Sequence, residues 1–315
     1  YILQKVNSEV FGDPYSMMNN AIKICRHLRN KRIKTLSFIK KKVNDESDEL
    51  YLLFDEETQS FWRCMQYIEN SGCIDYAENC NYAKLTGYAF GKFIKDCSDL
   101  TEKLTPTIPD FHNLPKRIDK LKTMHDYSAY IGNKNSIEKS EKVYQKLFSL
   151  LEYVNCNLRN DLPDRITHND TKIANLLFTE KDIIVIDLDT VMPGKISDDF
   201  GDSARSVAST ASEDEKDLNK ILFDIEKFSS FSSGFAAGVR DLPTKNEINS
   251  LAAAPAYVTA ELSCRFLTDY YAGNVYFKTL YPEHNLDRAI NQTALLENII
   301  YKQKQINTIV NYSFN

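Results

Sequence analysis

The chain of 315 residues is long enough to bury a sizeable core and to form two lobes. Its 43% hydrophobic and 26% charged residues are ordinary for a globular protein, and a net charge of −5 argues against a general nucleic-acid binder. No apolar run approaches the ~20 residues of a membrane span and a secretory leader is not expected; the seven scattered cysteines read as free thiols of a reducing cytoplasm.

Residues 1–6 read as a strand. Neither a Met nor a turn precedes it, so further strands are expected ahead of Tyr1. Asp13 is placed to cap a helix with Pro14 at its first position, and Met17, Met18, Ala21, Ile22, Cys25 and Leu28 make its apolar stripe. Three strands are predicted next, over 35–41, 50–54 and 61–68, with polar turns at 44–48 and 55–60. The basic clusters at 29–32 and 40–42 read as solvated faces. A hinge is placed where the last strand gives way to irregular chain, at Gln66, Tyr67, Ile68 and the two residues after them. From Tyr82 the pattern turns helical, with Tyr82, Leu85, Tyr88, Ala89, Phe93 and Ile94 on one apolar face. Residues 105–116 carry several prolines and read as a loop, and 136–158 as a long helix.

The stretch RITHNDTKIANLLFTEKDIIVIDLDTVMPGKISDDFGDSAR, residues 165–205, organises the rest. It contains His168-Asn169-Asp170 followed by Asn175. Two short apolar strands, 176–178 and 183–186, are joined by the polar turn Thr179-Glu180-Lys181-Asp182 and predict a hairpin that ends on Asp187-Leu188-Asp189. Taken singly, each acid is equally a turn residue or a helix cap, and His168 a core histidine. The order H-x-D-x-x-x-x-N, hairpin, D-x-D is what phosphoryl transfer uses. One Asp must orient the attacking hydroxyl within ~3 Å, while an Asn and a second Asp hold magnesium on the phosphate oxygens. Beyond it, 217–239 reads as helix. Thr244-Lys245-Asn246-Glu247 is a capping box opening a helix to about residue 271, and 289–310 closes the chain.

On these residues the sequence resembles the aminoglycoside phosphotransferase/choline kinase family of protein-kinase-like small-molecule kinases. The finer pattern is closer still to bacterial N-acetylhexosamine 1-kinases, through YILQKVN, RITHNDTKIANLLF, VIDLDTVMPG, DFGDSARS, SEDEKDL, ELSCRFLTDYYAGNVYF and PEHNLDR. The resemblance implies an α+β, bilobal fold with a small antiparallel-sheet N-lobe over residues 1–69 and a mainly helical C-lobe over 70–315. It implies transfer of the ATP γ-phosphoryl group to the anomeric 1-hydroxyl of GlcNAc or GalNAc, with ATP and Mg2+ required. Asp170 would then be the base engaging the sugar hydroxyl, and Asn175 and Asp187 the magnesium ligands. Thr190, Arg265 and Tyr276 fall at positions resembling the sugar contacts. The adenine edge would meet the backbone at Gln66, Tyr67 and Ile68.

Other assignments stay open in the sequence. Lys172 reads either as a contact to the transferring phosphate or as an exposed loop lysine. Asp189 touches metal or substrate, or caps the turn after it. Asp199 is expected to cap a helix or brace the loop. A Gly-rich phosphate loop is expected ahead of Tyr1, and the strand-borne lysine of ordinary kinases would align near Gln4 or Lys5, only one of which can face the cleft. Two other readings are a kinase of the same fold acting on choline, homoserine or an aminoglycoside, and a nucleotide-binding pseudokinase scaffold. Arg265 favours a neutral, hydroxyl-rich acceptor over a cationic one.

Overall fold

A computed structural model describes residues 1–7, 11–41, 51–128 and 134–315. Strand β1 (Ile2–Val6) leads into helix α1 (Pro14–Asn30), followed by β2 (Leu53–Asp55) and β3 (Ser60–Met65). These strands form one antiparallel sheet in the order β1-β3-β2, with Gln4 opposite Arg63 and Lys5 opposite Trp62. The Asp13 carboxylate accepts the N–H groups of Tyr15 at 3.0 Å and Ser16 at 3.1 Å, satisfying donors that the first helical turn leaves over. Met17, Met18, Ala21, Ile22, Cys25 and Leu28 are buried as the stripe predicts, packing with Val6, Leu36, Phe38 and Met65.

The strand expected over 35–41 is not there. Phe38 makes a single bridge to Met65, with the Ile39 N–H donating to the Cys64 carbonyl at 2.9 Å. The cause is competition: β2 already pairs with Ser60 to Trp62 on that side of β3, leaving only its end. Of the strand expected at 50–54 only 53–54 are strand, in β2, with residue 50 outside the described residues, and the one expected through residue 68 stops at Met65. The polar turn expected at 44–48 lies outside the described residues.

The remainder comprises β4 (Ser71–Gly72), α2 (Cys80–Cys97), α3 (Leu114–Ser128), α4 (Lys134–Leu151), β5 (Arg165–Thr167), β6 (Leu176–Thr179), β7 (Ile183–Val185), β8 (Met192–Gly194), α5 (Ile196–Ala208), α6 (Ile225–Val239), α7 (Lys245–Leu251), α8 (Ala254–Tyr271), α9 (His284–Tyr301) and α10 (Gln303–Ser313). The hairpin β6–β7 is joined by β4, and β5 pairs with β8. The fold is thus α+β, rich in helix with small antiparallel sheets. One apolar core gathers around α1 and β3, and also takes Leu188 and Val191; a larger one holds the helices from α2 onward.

Helices α2 and α6 touch backbone to backbone. Gly87 and Gly91 on one, and Gly234 and Gly238 on the other, leave no room for a side chain. A Cβ on Gly91 would lie 2.6 Å from the Phe235 carbonyl oxygen, and one on Gly238 would lie 2.5 Å from that of Tyr88. This contact turns the buried face of α2 away from the predicted one: Ala89, Phe93 and Ile94 are buried, but Tyr88 stays 38% exposed.

Four helix expectations are corrected. The helix expected through 158 ends at Leu151 and continues as turns. Helix α6 begins only at Ile225, capped by Asp224, because the Phe223 N–H is drawn to the Asn298 side chain at 2.8 Å. The Thr244–Glu247 box forms, with the Thr244 N–H donating to Glu247 at 2.7 Å, but the helix it opens is only α7. Pro255 restarts the chain as α8, since it lacks the N–H needed to continue the ladder. The final helix is likewise two, α9 and α10, broken at Lys302.

Candidate active site

Strand β5 delivers the chain to His168, whose ring is buried against Phe90 and Phe93 at centroid distances of 5.4 and 5.8 Å. Its Nε2–H donates to the Ile186 carbonyl at 2.8 Å, tying the loop to the end of the hairpin. From below, the Asp199 carboxylate of α5 accepts the N–H of His168 at 2.8 Å and of Asn169 at 2.7 Å. Asp202 accepts the N–H of Thr171 at 2.7 Å. Asn169 has φ of 65°, a left-handed conformation that an Asn adopts more readily than most residues. Burial pushes the Asp199 carboxyl up to about 6, against the opposing pull of His168 and the two N–H donors. Asp199 therefore braces the loop and does not cap α5.

Asp170 projects from this braced loop. Its Oδ2 accepts from Lys172 Nζ at 3.0 Å and from Asn175 Nδ2 at 2.9 Å, and the same Asn175 amide reaches the Asp170 carbonyl at 2.8 Å. Burial raises this carboxyl, but Lys172, His168 and Asn175 outweigh it, so Asp170 is held below the usual carboxylate range. Burial alone would lower Lys172; its pairing with Asp170 leaves it raised.

The hairpin closes through the Thr179 N–H to the Asp182 carbonyl at 2.9 Å, with Leu176 opposite Val185 and Phe178 opposite Ile183. One further bond, Ile186 N–H to the Asn175 carbonyl at 3.0 Å, brings the strand's end back to the loop. Asp187 follows with φ of 56° and lines the same cavity as Asn175. Burial, then the charges of Asp189 and Asp170, push the Asp187 carboxyl above its ordinary range. That pattern marks a place short of positive charge.

Asn175 and Asp187 share a cavity of about 480 Å3 with Gln66, Tyr67, Ile68, Leu177 and Ile186. A larger open groove of about 810 Å3 lies behind the hinge, lined by Arg32, Lys34, Glu69 and Lys181. It contains none of Asp170, Asn175 or Asp187, so the smaller cavity is the one that faces the acidic loop. Gln4 lines that cavity and Lys5 does not, which decides the alternation in β1. Among the described residues no three His, Cys, Asp or Glu side chains cluster as a ready-made metal cage. The oxygen donors Asn175 and Asp187 nonetheless suit magnesium, which keeps several waters and takes phosphate oxygens alongside one or two carboxylate-type ligands.

The Thr190 hydroxyl donates to the His168 carbonyl at 2.6 Å. Arg265 of α8 donates to the Tyr276 hydroxyl at 3.2 Å, and its guanidinium lies 5.2 Å from the ring centres of both Phe111 and Phe277. Tyr276 is presented by a loop that wraps Asp269, which accepts the N–H groups of Val275, Tyr276 and Phe277 at 2.8–3.0 Å. A pocket of about 220 Å3 opens here, lined by Arg117, Lys120, Arg265, Thr268, Tyr276 and Phe277. Asp170 is close enough that its charge helps to raise Arg265.

Sequence reasoning passed over three residues of this region. Glu261 lies buried between Arg265 at 3.6 Å, Arg117 at 3.2 Å and His112 at 3.7 Å. Burial works against its charge, but these cations hold its carboxyl at about 2. His112 also donates to the Asn169 carbonyl at 3.0 Å, linking the cluster to the loop that carries Asp170. The third is Arg63, buried in β3 and paired with Asp189 at 2.5 Å. The i, i+4 spacing of Glu261 and Arg265 was a usable signal for the first; nothing local marked the other two.

This fold and this loop define a protein-kinase-like phosphotransferase. Residues 1–223 match the family described as "Phosphotransferase enzyme family", and the chain belongs to it. Among solved structures, it is similar to a microcompartment-associated aminopropanol kinase, with 14% identity, a TM-score of 0.59 and coverage of 96% of this chain and 86% of that one. It is also similar to the aminoglycoside phosphotransferase of Alicyclobacillus acidocaldarius, at 12% identity and TM-score 0.57, covering 98% and 86%. A spectinomycin phosphotransferase solved with ADP and spectinomycin matches at 11% identity and TM-score 0.55, covering 96% and 85%. At these identities the likeness is one of fold. The chain is a small-molecule phosphotransferase, and among the described residues no helix is long and apolar enough to cross a membrane.

Proposed function

We propose that the protein is an ATP- and magnesium-dependent kinase that phosphorylates the anomeric 1-hydroxyl of an N-acetylhexosamine, GlcNAc or GalNAc, in the cytoplasm. The observation that carries the acceptor class is the Arg265–Tyr276 pair, within electrostatic reach of Asp170, with Arg117 and Lys120 on the same pocket. A cationic acceptor such as choline or an aminoglycoside would meet Arg117, Lys120 and Arg265 there, a charge that Glu261 and Asp269 offset only in part. Ring hydroxyls and an N-acetyl carbonyl suit them, because a guanidinium donates in a fixed fork and a tyrosine packs on a sugar while hydrogen-bonding it.

In this reading residues 1–69 and 70–315 are the two lobes, and the nucleotide enters the cavity lined by Gln66, Tyr67 and Ile68. ATP as phosphoryl donor is supported by the ADP in the spectinomycin phosphotransferase and the AMP-PNP in a structurally similar amicoumacin kinase. Asn175 and Asp187 would hold magnesium, which would supply charge neutralisation for the transferring phosphoryl group. Asp170, kept ionised by Lys172 and Asn175, accepts the hydrogen bond of the acceptor hydroxyl and orients its oxygen toward the γ-phosphorus. Lys172 is placed to follow the charge as Asp170 takes up the proton. Thr190, Arg265 and Tyr276 position the sugar, and Glu261 keeps Arg265 in place.

The test is phosphorus NMR of the protein with Mg-ATP and GlcNAc or GalNAc, with parallel samples holding choline, homoserine and kanamycin and with Asp170→Asn as control. The expected result is an anomeric sugar phosphate that is lost in the control. Phosphate on one of the amino acceptors alone would overturn the sugar assignment. Nucleotide binding without transfer to any acceptor would favour a scaffold.

A further inference from the structure

Ordinary kinases hold the nucleotide phosphates with a strand lysine that is itself fixed by a glutamate of the following helix. Among the described residues that pair is not formed. Of Gln4 and Lys5 it is Gln4 that lines the cavity, and α1, whose sequence is PYSMMNNAIKICRHLRN, contains no acidic residue. The structure has a different cation in its place. Arg63 comes from β3 directly opposite Gln4, is 3% exposed and lines the same cavity as Asn175 and Asp187.

Its guanidinium is committed to partners on both sides of the cleft. Nε and Nη2 donate to the Gln4 side-chain oxygen at 3.0 and 2.8 Å. Nη1 donates to the Asp189 carboxylate at 2.5 Å. The group is seated on the Phe38 ring, 5.5 Å from its centre, and against the Met17 sulfur of α1 at 3.7 Å. Asp189 stands two residues after Asp187, in the turn whose Leu188 and Val191 are buried in the core around α1. A single planar cation therefore joins the N-terminal sheet to the turn that carries the second acidic centre.

We propose that Arg63 is a positioning residue that replaces the lysine–glutamate pair. By holding Gln4 and Asp189 together it fixes the Asp187–Asp189 turn against the N-terminal sheet, and so sets the cleft for nucleotide phosphates. The fork is needed for this: a lysine is a point charge that can keep the ion pair with Asp189 but cannot also bracket the Gln4 oxygen. Asp189 has the complementary task of neutralising Arg63, so that the arginine does not collapse onto the phosphates. The inference rests on the nucleotide-cleft reading above.

The test is calorimetric binding of Mg–AMP-PNP and of adenosine to wild type, Arg63→Met, Arg63→Lys, Asp189→Asn and the Arg63→Met/Asp189→Asn pair, with ADP formation from ATP measured alongside. Wild type is expected to bind both probes. Arg63→Met should weaken Mg–AMP-PNP by about tenfold or more, the scale of a lost charged hydrogen bond, while leaving adenosine within twofold. Arg63→Lys should fall between, and the double variant should be no weaker than Arg63→Met alone. If Arg63→Met does not fold, Arg63→Lys and Asp189→Asn carry the same comparison. Mg–AMP-PNP binding within twofold of wild type in these variants overturns the inference, as do losses that multiply in the double variant or weaken adenosine equally. Failure of wild type to bind either probe overturns the nucleotide-cleft reading and this inference with it. A wild type that binds both, with unaffected variants, overturns this inference alone.

Discussion

The Asp199 carboxylate accepts the Asn169 N–H at 2.7 Å, from a helix that begins 27 positions later in the chain, at Ile196. It takes the neighbouring His168 N–H with its other oxygen. The residue just before Asp170, with its left-handed backbone, is thereby locked by a buried charge. Asp199→Ala leaves two buried donors without a partner, at roughly 1–3 kcal/mol each. The expected outcome is a loss of about 2–5 kcal/mol in urea unfolding and a fall in kcat of at least tenfold, with Asp199→Asn falling between.

Asp170→Asn removes the proposed base without changing its size. Turnover should drop by about 10²–10⁴-fold, the range for loss of a general base. Mg–AMP-PNP affinity, measured by calorimetry, should change little. A variant that turns over like wild type would remove Asp170 from the chemistry.

The Asp187 carboxyl titrates above its ordinary range because burial, Asp189 and Asp170 all disfavour its charge. A divalent cation binds the ionised form, so raising the pH through that elevated range should tighten magnesium binding, with a plateau above it. Magnesium titrations of turnover at a series of pH values measure this. Asp187→Asn should abolish the pH dependence and weaken magnesium strongly.

Glu261 bears on stability. Its carboxyl sits at about 2 against a reference of 4.5, so the folded state favours the ionised form. The stabilisation is present above the reference value and is lost as pH falls from 4.5 toward 2. It amounts to about 3 kcal/mol when fully developed. Urea unfolding of wild type should weaken across that window, and Glu261→Gln should remove this part of the slope. The same variant should raise the acceptor KM, since Arg265 loses its anchor.

Gly234→Ala tests the contact between α2 and α6. The new methyl would overlap the Lys84 carbonyl on the facing backbone, which cannot move without shifting a helix. A loss of about 1–3 kcal/mol or more is expected in thermal or urea unfolding, as for other overpacked sites. Alanine at the open Gly12, with nothing within 4 Å, is the neutral comparison.

How much of this was legible depended on the distance over which each feature is decided. The Asp13 and Thr244 caps, the Thr179–Asp182 hairpin turn and the α1 stripe were visible because each is settled among residues a few positions apart. The failed strand at 35–41 was not, because its fate turned on which segment pairs along the edge of β3. The merged helix expected from 244 to 271 hid a proline whose cost is local, yet was masked by a continuous apolar pattern. The α2 face was misjudged because two pairs of glycines, rather than the aromatic residues, decide where a helix comes closest to its partner.

The amino-acid sequence by itself determined the order of the chemistry: an acid and an amide on one loop, a hairpin, and a second acidic centre beyond it. It did so because the hairpin's turn and strand pairing are short-range and return Asp187 to Asn175 wherever the rest of the chain lies. Only the tertiary structure decided which β1 residue faces the cleft, that Arg63 meets Asp189 and that Glu261 seats Arg265. Arg63 and Asp189 are 126 positions apart, and a buried ion pair across that separation has no local signature. It exists only where the packing of the N-terminal sheet against the hairpin turn brings both groups out of water together.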